Sequence, residues 1–320
     1  MNVTHSEAWK ILNGSDDILL LTHRVPDGDA VGSLCALYRV LKSLGKNVRF
    51  ILDTVSRELM FLTEGLESAD FEPKCVVTVD MGDKKLLGDE LEAEYGDRVL
   101  LNIDHHATNV LFAENTLLDS EAAAASEVLF DMLTENGVEI TEDIAMPLYV
   151  GIATDTGCFR YGNTTAKTMR MAAFLMDTGI DTATVNTDIF DTKTKEYFAL
   201  ETMAMNSVKM YFGGKCALLM LTKDMYRRAN IAENETKGIN ALPRQIAGVL
   251  VGITVKEREG GKYGISVRTR EPVDASEICA LLGGGGHRQA AGCELTANPR
   301  TVISTILKYT EEALKEQKLI

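Results

Sequence analysis

Between residues 19 and 33 the chain reads LLLTHRVPDGDAVGS, which sets His23, Asp27 and Asp29 within one short turn around Pro26 and Gly28. An imidazole and two carboxylates so close together suit a metal site. Similar groups recur downstream. An apolar run ends at Asp80, in VVTVDMGD, and another ends in the triplet Asp104, His105 and His106, in NIDHHATN. A long apolar segment ends at Asp155, in ATDTGCF. Each acid alone also reads as a turn former or helix cap. Their joint position after buried segments favours ligation.

Several carboxylates drawn together repel unless cations neutralise them. The donors are mostly carboxylate oxygens with some imidazole, which suits Mn²⁺, or Mg²⁺ as the alternative, better than a thiolate-loving ion. His23, Asp27, Asp29, Asp80, His105 and Asp155 exceed what one ion needs. Two ions are therefore expected, and paired ions activate water and clamp a phosphoryl group.

The elements that position these groups are legible as hydrophobic patterns. Residues 18–22, 47–52, 75–80 and 98–104 read as buried strands, and 28–45 reads as an amphipathic helix ending at Gly45. Segments 126–137, 141–155 and 166–179 also have helical spacing. Strands alternating with helices predict an α/β fold, with a doubly wound parallel sheet in the N-terminal domain. Ligands of such sheets bind beyond the carboxyl ends of the strands, where the acids and histidines fall. Residues 1–186 are expected to form this domain and 187–206 a helical linker. Residues 207–320 would form a smaller α/β domain, with strands at 215–222, 248–257 and 263–270 and a helix at 274–284 running into glycines.

The whole chain has 320 residues and a net charge of −14, which argues against coating long nucleic acid or binding long duplexes. It contains no apolar run of membrane-spanning length and no secretory signal pattern, so a cytoplasmic location without membrane association is expected. The six cysteines form no CxxC pair and read as reduced thiols in or near the core.

The motifs THRVPDGDAVGS, VVTVDMGD, NIDHHATN and ATDTGCF, followed by LGGGGHRQAAG at 282–292, resemble the DHH phosphoesterase family in its DHH–DHHA1 branch. At this length the resemblance is to the nanoRNase type, the bifunctional oligoribonucleases and pAp-phosphatases. It implies two metal ions, one on His23, Asp27 and a bridging Asp80, the other on Asp29, Asp80, His105 and Asp155. It further implies that Asp104 orients a histidine and that His106 reaches the scissile phosphate. The implied activity is hydrolysis of short oligoribonucleotides of about 2–5 nucleotides to mononucleotides, and of pAp to AMP, by a hydroxide bridging two Mn²⁺ ions. Val25 stands where the family's first motif often has Asn, which puts only local loop contacts in doubt.

In the second half, glycines 283–286 allow a terminal helix cap or a nest of amides around an anion. With the resemblance, Gly284, Gly285, Gly286 and His287 become candidates for substrate binding. Residues 243–270 hold six Lys or Arg against two Glu, and Arg268 matches an arginine of the DHHA1 motif. Arg268 is therefore expected to hold a phosphate, with Arg270 a weaker candidate and Arg288 a solvated loop residue. Two linked domains, each holding one end of the substrate, would limit it to short RNA oligonucleotides or small nucleotides. Homodimerisation stays open. The alternatives are a cyclic-dinucleotide or pApA phosphodiesterase and, outside enzymes, a nucleotide-binding module that lacks catalysis.

Overall fold

The structure is a computed structural model that describes residues 1–320 except Asp53, Asn234, Glu235 and Lys237. It divides into two compact units, Met1–Thr192 and Lys193–Ile320.

The first unit runs α1 (His5–Gly14), β1 (Ile18–Leu21), α2 (Gly28–Ser43), β2 (Val48–Phe50), β3 (Cys75–Val79), α3 (Asp89–Tyr95), β4 (Val99–Asp104) and β5 (Asn115–Leu118). Four helices follow: α4 (Ala125–Glu135), α5 (Glu142–Asp155), α6 (Ala166–Asp177) and α7 (Thr182–Asn186). The five strands form a parallel sheet in the order β2-β1-β3-β4-β5. Alternate strand residues feed two cores on opposite faces. Ile18, Leu20, Val77 and Ile103 pack against α2, α4 and α5, whereas Leu19, Leu21 and Val76 pack with Leu87 and Tyr95. Burial on both faces explains why β1 and β3 read as continuous apolar runs. α1, α3 and β5 are elements that the sequence reading lacked.

The α2–α5 crossing decides where the site's acids end up. A Cβ on Gly32 would lie 2.4 Å from Pro147 O, and one on Gly28 would lie 2.3 Å from the Thr154 side chain. On α5, a Cβ at Gly151 would lie 2.0 Å from Ser126 Oγ and 2.6 Å from Asp29 Oδ1. Only glycine fits at these points, so the two helices approach closely and bring Asp29 near Asp155.

The expected helix over 187–206 is broken. Thr187–Asp191 form one wide turn, Thr192 and Thr194 are extended, and α8 (Lys195–Asn206) starts afresh with Thr194 accepting from Tyr197 N. α8 belongs to the second unit, where Leu200 and Ala204 pack on Leu219 and Leu221.

The second unit continues with β6 (Lys209–Tyr211), β7 (Cys216–Leu221), α9 (Lys223–Ala229), α10 (Leu242–Gln245), β8 (Val251–Glu257) and β9 (Lys262–Thr269). It closes with α11 (Ala275–Ala280), β10 (Gly285–His287), β11 (Ala290–Thr296) and α12 (Pro299–Glu316). The sheet order is β10-β11-β9-β8-β7-β6, with β7 and β8 parallel and the other pairs antiparallel. One face buries Ile253, Val255, Ile265 and Val267 against α11 and α12. The opposite face carries Gly252, Ser266, Arg268 and Ala290, as the period of two requires. Among the described residues, no helix is long and apolar enough to cross a membrane.

Candidate metal centre

β1 ends one residue before Thr22 and His23, and the chain turns at once into α2. Asp27 caps that helix, its Oδ1 accepting from Asp29 N at 3.1 Å and Ala30 N at 3.2 Å. The capping role and a ligand role are compatible, because each carboxylate oxygen has two lone pairs. His23 Nε2 then lies 4.0 Å from Asp27 Oδ1 and 3.7 Å from Asp80 Oδ2.

Asp80 directly follows β3 with a backbone φ of +56°, an uncommon conformation for a non-glycine residue. Its amide donates to Ile103 O at 2.9 Å, which fixes it to β4. Its Oδ1 is 3.6 Å from His105 Nε2 and 3.7 Å from His106 Nδ1. Asp80 thus stands between the His23–Asp27 group and the His105 group.

The two histidines have different surroundings. His105 Nδ1 is 3.2 Å from Ala122 O. A carbonyl only accepts, so Nδ1 carries the proton and Nε2 turns a lone pair into the site, 3.3 Å from Asp155 Oδ2. His106 Nδ1 instead donates to Asp104 Oδ1 at 2.7 Å, and Asn109 Nδ2 donates to the other Asp104 oxygen at 2.5 Å. Asp104 therefore orients His106 rather than His105. Its hydrogen bond raises His106 to about 9, so the ring is charged at neutral pH. His106 is half-exposed, with Nε2 left for a ligand.

Asp29 is fully buried. Its two oxygens accept from Ala125 N at 2.6 Å and Ser126 N at 2.9 Å, the first amides of α4. α4 has no local cap, since Ala124 occupies that position, and Asp29 supplies one from 96 residues away. The helix N-terminus favours its charge, but burial and then the charge of Asp80 outweigh this and hold its carboxyl well above the usual carboxylate range. Asp155 is the last residue of α5, where the helix dipole disfavours an anion. Burial, followed by the charges of Asp29, Asp80 and Asp27, pushes its carboxyl up to about 10.

These donors form three overlapping sets, each with its atoms within 4.8 Å of one another: His23, Asp27 and Asp80; Asp29, His105 and Asp155; Asp80, His105 and His106. Two of the most buried donor atoms, Asp80 Oδ1 and His105 Nε2, have no hydrogen-bond partner. Leaving such atoms unsatisfied is costly, and a hard or borderline divalent cation between them satisfies both. The residues fit such an ion. Asn109 and the amides of α4 are contributors that the sequence reading missed.

The second unit carries the other expected residues. His287 on β10 lies opposite Ala290 on β11, which lies opposite Arg268 on β9. His287 and Arg268 thus share one sheet face, two strands or about 10 Å apart, with only an alanine between them. The glycines do more packing than expected. The amides of Gly283 and Gly284 donate to Ala280 O at 3.0 Å and Cys279 O at 2.9 Å, closing α11. A Cβ at Gly284 would lie 2.1 Å from Gly292 O. Gly285 and Gly286 pair with β11 and stay exposed, and Gly286 has a φ of +143°. An anion nest over the whole run is therefore not formed, because the first two amides are used internally. Arg270 Nη2 donates to Arg244 O at 3.2 Å, and Arg288 is paired bidentately with Glu271 at 3.0 and 3.1 Å.

Comparison with known proteins accords with this layout. Residues 17–152 match the DHH family N-terminal domain and residues 216–316 match the DHHA1 domain. The chain is 36% identical over 296 residues to the bifunctional oligoribonuclease and PAP phosphatase NrnA of Thermus thermophilus, covering 91% of this chain and 87% of that protein. The same-named protein of Bacillus subtilis is 25% identical over 297 residues, covering 91% and 93%. An exopolyphosphatase-related protein of Bacteroides fragilis, known by its crystal structure, has the same fold, with a TM-score of 0.85 at 24% identity and coverage of 98% and 96%. With a relative of this identity over nearly its full length, and both domain models matched in order, the chain belongs to the DHH family of phosphoesterases, in the branch that carries a C-terminal DHHA1 domain.

Proposed function

We propose that the chain is a divalent-cation-dependent phosphoesterase that hydrolyses short oligoribonucleotides to mononucleotides and pAp to AMP. The observation that carries this reading is the convergence of seven donors on buried, unpartnered Asp80 Oδ1 and His105 Nε2. The named activity of the Thermus thermophilus relative gives the substrate class.

His23, Asp27 and Asp80 would hold one cation, and Asp29, Asp80, His105 and Asp155 the other, with Mn²⁺ the ion we assign. When bound, such a pair supplies a water of lowered pKa and positive charge opposite the phosphoryl oxygens. The chain's own residues do the rest. Asp80 lies beside both His23 and His105 and would be common to the two groups. Asp104 and Asn109 lock the His106 ring, so that its Nε2–H points outward as a donor to the scissile phosphate or the leaving oxygen. In the second unit, Arg268, His287 and the exposed Gly285 and Gly286 are assigned to the non-scissile end of the substrate.

The test is a Mn²⁺-supplemented hydrolysis panel of pAp, pApA, a 5′-phosphorylated RNA trimer, a long RNA and cyclic di-AMP. Turnover of pAp and the short RNAs, with little on the long RNA or the cyclic compound, is expected. Preferred opening of cyclic di-AMP would move the chain to the cyclic-dinucleotide phosphodiesterases. No turnover at all would favour a binding module.

A further inference from the structure

The second unit holds an arginine that the motifs do not mark. Pro243 and Arg244, on α10, lie over Gly252 of β8: a Cβ there would be 2.7 Å from Arg244 N and 3.1 Å from both Arg244 Cβ and Pro243 Cβ. Gly252 is directly opposite Arg268. The glycine thus lets α10 settle onto the sheet beside the arginine already assigned to substrate. Arg244 Nη1 donates to Thr269 O at 3.3 Å, one residue beyond Arg268. Arg270 donates to Arg244 O and fixes the α10 backbone.

Arg244 and Arg268 are both partly buried, and neither forms an ion pair with a carboxylate among the described residues. The exposed Arg270 also lacks an acid among the described residues, whereas two other nearby arginines have one. Arg258 is paired with Glu233 and Glu294, and Arg288 with Glu271. Each of the two guanidiniums donates to one backbone carbonyl, Arg268 to Val267 O at 3.1 Å and Arg244 to Thr269 O at 3.3 Å, out of five donors apiece. Burial and the charge of Arg244 lower the pKa of Arg268, as two cations without an anion must. In a chain of net charge −14, leaving two adjacent arginines without acids is a specific arrangement. His287 lies in the same cross-strand row as Arg268 and Gly252.

We infer that Arg244 is a second phosphate-binding arginine, forming with Arg268 a two-guanidinium clamp for a terminal, non-scissile phosphate of the substrate. This rests on the phosphoesterase reading only for the word substrate; the anion site stands on the second unit alone. Two guanidiniums can bind one phosphate through several charge-assisted bonds, which a hydroxyl cannot replace. The clamp would therefore select substrates with a phosphate at their far end over the same substrates without it.

The experiment is calorimetric titration of AMP and of adenosine into the full-length, chelator-treated protein, comparing wild type with R244A and R244K. The expected results are a preference of wild type for AMP, a loss of about tenfold in AMP affinity in R244A with adenosine unchanged, and partial recovery in R244K. Thermal melting of each variant checks that α10 still packs. Equal AMP affinity in R244A and wild type would overturn the clamp, as would no AMP preference in wild type. Parallel losses for AMP and adenosine would also overturn it, by marking a packing role over Gly252. Failure of the hydrolysis panel with AMP discrimination intact would sink the phosphoesterase reading while leaving this site standing.

Discussion

In the first unit, five carboxylates and three imidazoles crowd the carboxyl edge of a parallel sheet, and burial holds Asp155 up to about 10. In the second unit, two arginines stand without acids on a floor of glycine and alanine. One region has too much negative charge until cations arrive. The other has positive charge that only an anion relieves. On the proposed function, divalent cations would satisfy the first and a substrate phosphate the second. The tasks would divide accordingly, with chemistry where the cations would sit and selection at the arginines.

Substitutions on each side should separate these tasks. The largest effect is expected from Asp80→Ala, which removes the carboxylate proposed as the ligand common to both cations. Loss of several kcal/mol of charge stabilisation should cut kcat on the order of 10³-fold or more, and near-normal turnover would sink the two-ion arrangement. His106→Ala should lower kcat by roughly 10²-fold with little change in KM, because it removes a donor to the reacting phosphate and no ligand. A rise in KM alone would move His106 to the binding side. Arg268→Ala should do the reverse, raising KM for 5′-phosphorylated substrates by about tenfold while kcat stays near wild type. A matching loss of kcat would blur the division between the units.

The smallest effect concerns pH. Asp155 has a folded pKa of about 10 against about 3.9 when unfolded, so the metal-free fold keeps this proton more tightly than the unfolded chain. That contribution is complete below the unfolded value and is lost as pH rises through the folded one. Chelated protein should therefore lose Tm from about pH 6 to about pH 8, and the Tm gained on adding Mn²⁺ should grow over the same interval. A gain that shrinks with pH would contradict convergent carboxylates as the cation site.

The candidate donors that the fold brings together were legible because a metal site would demand such side chains at strand ends, and buried parallel strands announce themselves as apolar runs. What brings Asp29 to Asp155 was not legible. It depends on the absence of side chains at Gly28, Gly32 and Gly151, and glycine within a helix ordinarily reads as a weakness. The cap of α4 was hidden for a similar reason. Ala124 and Ala125 give no capping signal, since the cap comes from Asp29, far away in sequence. The left-handed backbone at Asp80 has no signature in an aspartate. α12 is different: Asn298 followed by Pro299 is a standard helix start, so its signal was present in the sequence but not read. The break before α8 was masked by a helical pattern that continues across Thr192 and Thr194, where the backbone is extended and a new cap begins. Arg244 looked like any other basic residue, because its meaning lies in facing Gly252 and Arg268.

The most direct measurement is a calorimetric titration of Mn²⁺ into the chelator-treated full-length protein, with Asp80→Ala as the comparison. Binding of two ions per chain in wild type, abolished in the variant, is the expected result. A wild-type chain that binds no Mn²⁺, or a variant that still binds two ions with unchanged affinity, would contradict the metal centre and the phosphoesterase chemistry built on it.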